Sequence, residues 1–129
     1  MLSFPRTAYN RILEGALRAG EQPIYGLLVQ ESGDAEQFFV VSLHELPQNT
    51  QAMAQNLLQA QEQLQQDQHA VALFCSESLH SAIEQVSQQQ RQFSTLPILR
   101  VQQDTKGRLV IAGESLQNGQ PDPLELGLE

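Results

Sequence analysis

Apolar positions fall along this chain in two rhythms. Tyr9, Ile12, Leu13, Ala16 and Leu17 recur three and four residues apart and Gly20 follows them, which predicts an amphipathic helix closed by a glycine. Ser3, Phe4 and Pro5 read as its start, with Ser3 as N-cap and the proline near the first turn, where a missing N–H costs little. The next run, Ile24 to Val29, is apolar without a clean period of two, as in a strand covered on both faces. Gly26 inside it marks a close backbone approach or a bulge. A turn across Gln30 to Glu36 leads into Gln37 to Leu43, which is rich in β-branched and aromatic residues, so the two runs predict a β-hairpin. His44 to Asn49 form a connector in which Pro47 ends the strand and Asn49 or Thr50 is available as a cap. Met53, Leu57, Ala60 and Leu64 then predict a second helix, from about Gln51 to Gln66, whose other face is nearly all Gln.

The pattern turns on Ala70 to Glu84. An apolar run, Ala70 to Phe74, stops at Cys75, Ser76, Glu77 and Ser78, and helical spacing begins at once with Leu79, Ala82, Ile83 and Val86. A buried strand emptying into a helix (79–91) presents side chains at the mouth of a crevice, the first place to look for chemistry in an α/β fold. Pro97 opens a strand, Ile98 to Val101, and Thr105 to Arg108 turn the chain into Leu109 to Ala112. Beyond Gly113 the sequence carries Gly, Pro and acid with little apolar periodicity. That divides the chain into a domain, 1–113, and a weakly ordered acidic tail, 114–129. The whole predicts a single α/β domain with a mixed central sheet flanked by helices.

Composition narrows the function. A chain of 129 residues suits one core. Seven Lys and Arg against fifteen Asp and Glu give a formal charge of −8, which repels phosphate backbones and anionic membranes, so neither nucleic acid nor a membrane is an expected partner. No window reaches the ~18 apolar residues of a membrane span, and the N-terminal stretch lacks a long apolar segment. Cys75 is the single cysteine, which excludes an internal disulfide or a Cys-based zinc cluster within one chain and points to a reducing, cytoplasmic setting.

Several short pieces resemble the JAB/MPN domain, the fold of the JAMM zinc metallo-isopeptidases. A Pro-led helix with an Arg-Ile-Leu core is matched by FPRTAYNRILEGAL, Phe4 to Leu17; a strand ending Cys-Gly-Leu-Leu by Tyr25, Gly26, Leu27 and Leu28; a Leu-Pro-Asn connector by Leu46, Pro47, Gln48 and Asn49. The resemblance spans about residues 4–113 and makes Val71 to Phe74 the strand that carries the zinc motif. Active members hold zinc with the two imidazoles of a His-Ser-His-Pro motif and a carboxylate, and use a Glu three residues before the strand glycine as general base. Here the Glu position is Pro23, the His positions are Cys75 and Glu77, the Pro is Ser78, and Ser76 alone is kept. A shortened gap lets Ser81 and Glu84 imitate the family's Ser and Asp.

What the resemblance implies is therefore a catalytically inactive scaffold, without metal or cofactor, that binds a protein or peptide and permits a homo-oligomer. Its binding residues would be Tyr25, Ser76, Glu77 and His80 along the old groove, with an exposed strand edge and the Gln-rich helix as further partner faces. The alternative is a metal-dependent peptidase or isopeptidase with zinc on Cys75, Glu77 and Glu84. Against it, Cys75 reads as a small buried hydrophobe and Glu77 as an acid at a helix start. His80 and Glu84, four apart, read as a surface pair, and Glu21 stands two residues, about 7 Å, from the base position. His44 and His69 sit at element ends, where exposure explains them. Ser76 and His80 are the one short-range nucleophile and base, with neither an acid nor a nucleophile elbow beside them.

Overall fold

The computed structural model describes residues 2–32, 37–43, 49–117, 120–124 and 126–128. Residues 44–48 of the predicted connector and residues 33–36 of the predicted turn lie outside them.

The architecture is a mixed sheet with helices on both faces, a single α/β domain. In chain order the elements are β1 (Leu2–Phe4), α1 (Arg6–Ala19), β2 (Tyr25–Glu31), β3 (Gln37–Leu43), α2 (Thr50–Glu62), β4 (Gln68–Ser76), a 3-10 turn (Glu77–Leu79) and α3 (His80–Gln89). Four strands follow: β5 (Ile98–Gln103), β6 (Leu109–Gln117), β7 (Gln120–Leu124) and β8 (Leu126–Leu128). The main sheet has six strands in the order β3-β2-β4-β5-β6-β7. All its neighbours are antiparallel except β4 and β5, which run parallel and so need the α3 crossover between them.

Strand alternation divides the core in two. Leu27, Leu73 and Ile98 point to one face and pack under Met53 and Leu57 of α2 and Ile83 and Val86 of α3. Leu28, Phe74 and Leu99 point to the other, under Ala8, Ile12 and Ala16 of α1. Both faces of β2 and β4 are thus covered, which is why these strands read as continuous apolar runs. α1 buries a narrower stripe than its sequence suggests: Tyr9 and Leu13 flank it, and Leu17 is 67% exposed. Five residues beyond Ile12, Leu17 lies roughly 140° round the helix, away from the sheet.

Local chemistry sets the ends. α1 starts at Arg6 with Pro5, not Ser3, as its N-cap, because residues 2–4 are drawn out as β1 beside β8. The Pro5 carbonyl accepts from the N–H groups of Ala8 and Tyr9. Gly20 closes the helix at φ 64°. The Asn49 side chain caps α2 by accepting from the Ala52 N–H at 2.8 Å. α2 ends at Glu62, short of Gln66, and Gln68 turns the chain into β4 by accepting from the Gln65 N–H. Asp104 holds the β5–β6 turn, accepting from the N–H groups of Lys106 and Arg108 and from the Arg108 side chain; those hydrogen bonds keep its carboxyl below the usual range.

Beyond Gly113 the structure departs from the expected tail. β6 continues to Gln117, 120–124 pairs with it as β7, and 126–128 pairs in parallel with β1. Backbone pairing does not require apolar periodicity, so the composition of this segment conceals it.

β2 lies between β3 and β4, and Gly26 is crowded from both of them. A Cβ at Gly26 would stand 1.9 Å from the Val41 carbonyl oxygen and 2.9 Å from Phe74 Cζ. The Gly26→Ala variant is expected to lose about 3 kcal/mol of stability or fail to fold, read by urea unfolding; an unchanged midpoint would contradict this packing.

Candidate functional site

The C-terminal end of β4 is built into the sheet. Ser76 and Ile24 exchange two hydrogen bonds: the Ser76 N–H donates to the Ile24 carbonyl at 2.8 Å, and the Ile24 N–H donates to Ser76 Oγ at 2.9 Å. The hydroxyl that could have served as a nucleophile is an acceptor that closes β2 onto β4. Cys75, the neighbouring residue, faces the α3 side and is fully buried. It stands opposite Tyr25 on β2 and Arg100 on β5, so one row crosses the sheet.

At Arg100 that row meets a polar cluster which the sequence did not assemble. Arg100 comes from β5, Glu114 from β6, and His80 and Glu84 from α3. His80 Nε2 hydrogen-bonds Glu114 Oε1. On the other side of the ring, Nδ1 is 3.3 Å from Arg100 Nη1 and 3.5 Å from Glu84 Oε1. With its proton on Nε2 the ring donates to Glu114 and accepts from Arg100, so one imidazole ties α3 to both strands. The His80 and Glu84 side chains are 17% and 22% exposed, so they form a half-buried joint and not a surface pair. Arg100 Nε is buried without a hydrogen-bond partner among the described residues.

Burial pushes the Cys75 thiol from 9.0 up to about 12; the Glu114 carboxylate adds to this, Arg100 opposes it, and Glu84 adds a little more. A thiol held in its neutral form is neither a ready nucleophile nor a ready metal ligand.

The four expected binding residues do not line one groove. Ser76 and Glu77 border a cleft of about 400 Å³ with Pro23, Glu21, Ser78 and Gln102. His80 borders another, of about 270 Å³, with Arg100, Glu114 and Pro123. Tyr25 lies under a third, between β3 and α2, where its hydroxyl accepts from Asn56 Nδ2 at 2.9 Å. The alternative metal set is likewise not gathered. Among the described residues the group able to offer three ligand atoms within 4.8 Å is His80, Glu84 and Glu114, without Cys75 or Glu77. In that group the two carboxylates approach opposite ring nitrogens and a guanidinium shares one of them, an arrangement already satisfied as a tie. Glu114 and Arg100 were not visible as partners because only strand register brings them to α3.

The fold and these clefts define a small α/β domain with a mixed sheet. No protein-family model matches the chain, and no curated protein matches it. Among solved structures it is similar to the solution structure of protein DSY2949 from Desulfitobacterium hafniense, with a TM-score of 0.67 and 16% sequence identity, over 100% of this chain and 93% of that one. At that identity the likeness is one of fold. Among the described residues no helix is long and apolar enough to cross a membrane.

The thiol has a measurable consequence. Its folded value lies above its unfolded one, so its contribution to stability is whole below pH 9.0 and is lost as pH rises toward about 12. Stability is expected to fall more steeply over that window in the wild type than in Cys75→Ala, and Ellman's reagent to react only after unfolding. Parallel pH profiles, or rapid native labelling, would contradict the burial of Cys75.

Proposed function

We propose that this chain is a catalytically inactive JAB/MPN-like domain of the cytoplasm that works by holding an extended segment of another protein. The order of elements supports the family reading: a leading helix, an antiparallel hairpin beside the central strand, and a helix that carries β4 across to parallel β5. The junction supports inactivity, since Ser76 Oγ is held by the Ile24 N–H, Cys75 is sealed, and Pro23 stands where the resemblance would place a base.

One observation carries the binding reading. β3 is an edge of the sheet, paired with β2 along all seven residues without a register shift, and its outer side has no strand partner among the described residues. Sheet edges are usually blunted by charge, proline or a bulge, and QFFVVSL contains none of these. Such an edge supplies a row of backbone donors and acceptors to an added strand. The groove between β3 and α2, about 290 Å³, gives that strand a place for side chains, bordered by Gln59 and Gln63 of the Gln-rich face.

Panning a random-peptide display library against the purified chain tests this. Enriched peptides are expected to slow amide hydrogen exchange within Phe38–Leu43 when they bind. No enrichment, or peptides that are cut and not held, would sink the reading.

A further inference from the structure

The second flank of the same edge differs from the first in charge. Phe38 and Val40 face the α1 side of the sheet, and between β3 and α1 runs a groove of about 260 Å³ bordered by Arg11, Glu14, Arg18, Val40 and Ser42. Gly15 stands at its wall with no side chain to fill it. Arg11, Glu14 and Arg18 are three and four residues apart on one exposed face of α1. Neither arginine has an ion pair or hydrogen bond among the described residues. In a chain of net charge −8 with seven basic residues, two of the seven border this groove, against one acid.

A strand added beyond β3 would lie about 4.8 Å outward and send alternate side chains to the two faces of the sheet. One set would enter the groove beside α1, between the arginines; the other would enter the groove beside α2, whose polar border is Asn56, Gln59 and Gln63 without charge. We propose that the β3 edge takes an extended acidic segment of another protein, its carboxylates meeting Arg11 and Arg18 and its intervening apolar or neutral side chains packing beside α2. Guanidinium and carboxylate form charge-assisted pairs, and the sheet's period of two keeps all the acids on one face even if the segment slips by two residues. A second copy of this chain fits less well. Antiparallel pairing of β3 with its own copy would bring both α1 helices to one face, set arginines against arginines, and join two bodies of charge −8.

The inference rests on the binding reading above and is tested with defined probes. By calorimetry at low salt, a capped peptide as long as β3 that alternates valine with glutamate is expected to bind about tenfold more tightly than the same peptide with lysine for glutamate. The preference should shrink with added salt and reverse in the double variant Arg11→Glu and Arg18→Glu. Arg11→Gln with Arg18→Gln should abolish it and guards against misfolding of the reversal variant, with circular dichroism as the check on both. Equal affinity for the two peptides, or a preference untouched by either variant, would overturn the acidic partner while leaving β3 as a docking edge. A dimer in sedimentation whose β3 amides are protected without peptide would also overturn it. Failure of any peptide to protect Phe38–Leu43 would count against the edge itself.

Discussion

Everything in this domain depends on how tightly β2 is held between β3 and β4. Gly26 lets the Val41 carbonyl and the Phe74 ring close on the strand from two directions, where even a methyl group would collide with both. With β2 fixed, Leu27 and Leu28 are committed to opposite faces, and α2, α3 and α1 have cores to cover. The same pairing brings Ile24 to Ser76 and fixes the end of β4. It also leaves β3 as the sheet's outer rail. β2, whose close fit Gly26 permits, thus takes part in both layers, adjoins the junction and pairs with the edge strand.

The polar groups at the junction follow a consistent logic. Burying a polar group without a partner costs about 1–3 kcal/mol, and most groups there are paired or kept neutral, the buried Arg100 Nε being the exception among the described residues. Ser76 is paired with a backbone N–H, Cys75 is kept as a thiol, and His80 is shared among Glu114, Arg100 and Glu84. Residues of the kinds that elsewhere perform chemistry are used here to join α3 and β2 to the central strands. Binding can then occupy surfaces that this packing does not consume, and the β3 edge with its two flanking grooves is such a surface.

Elements whose signal is local were legible in the sequence. The hairpin around β2 and β3, the Asn49 cap and the stop at Gly20 rest on residues near one another in the chain, and the glycine at position 26 marked its own close approach although Val41 and Phe74 supply it from further away. What escaped was set by pairing at a distance. Residues 2–4 form a strand because 126–128 lie beside them, not because LSF asks for one. Glu114 meets His80 because Ile98 aligns β6 with β5, a register that composition cannot express. The expected site residues dispersed for a related reason: Cys75 and Ser76 are adjacent in sequence and face opposite sides of the sheet.

The end of β4 is built into the structure, and the proposal that the domain works by binding follows from that. Elemental analysis of the purified, untagged chain after dialysis against zinc, alongside Cys75→Ala and His80→Ala, tests it most directly. The account predicts no stoichiometric zinc in any of the three. A tightly held stoichiometric zinc in the wild type, released by either substitution, would contradict it and restore a metal-dependent hydrolase as the reading of this site.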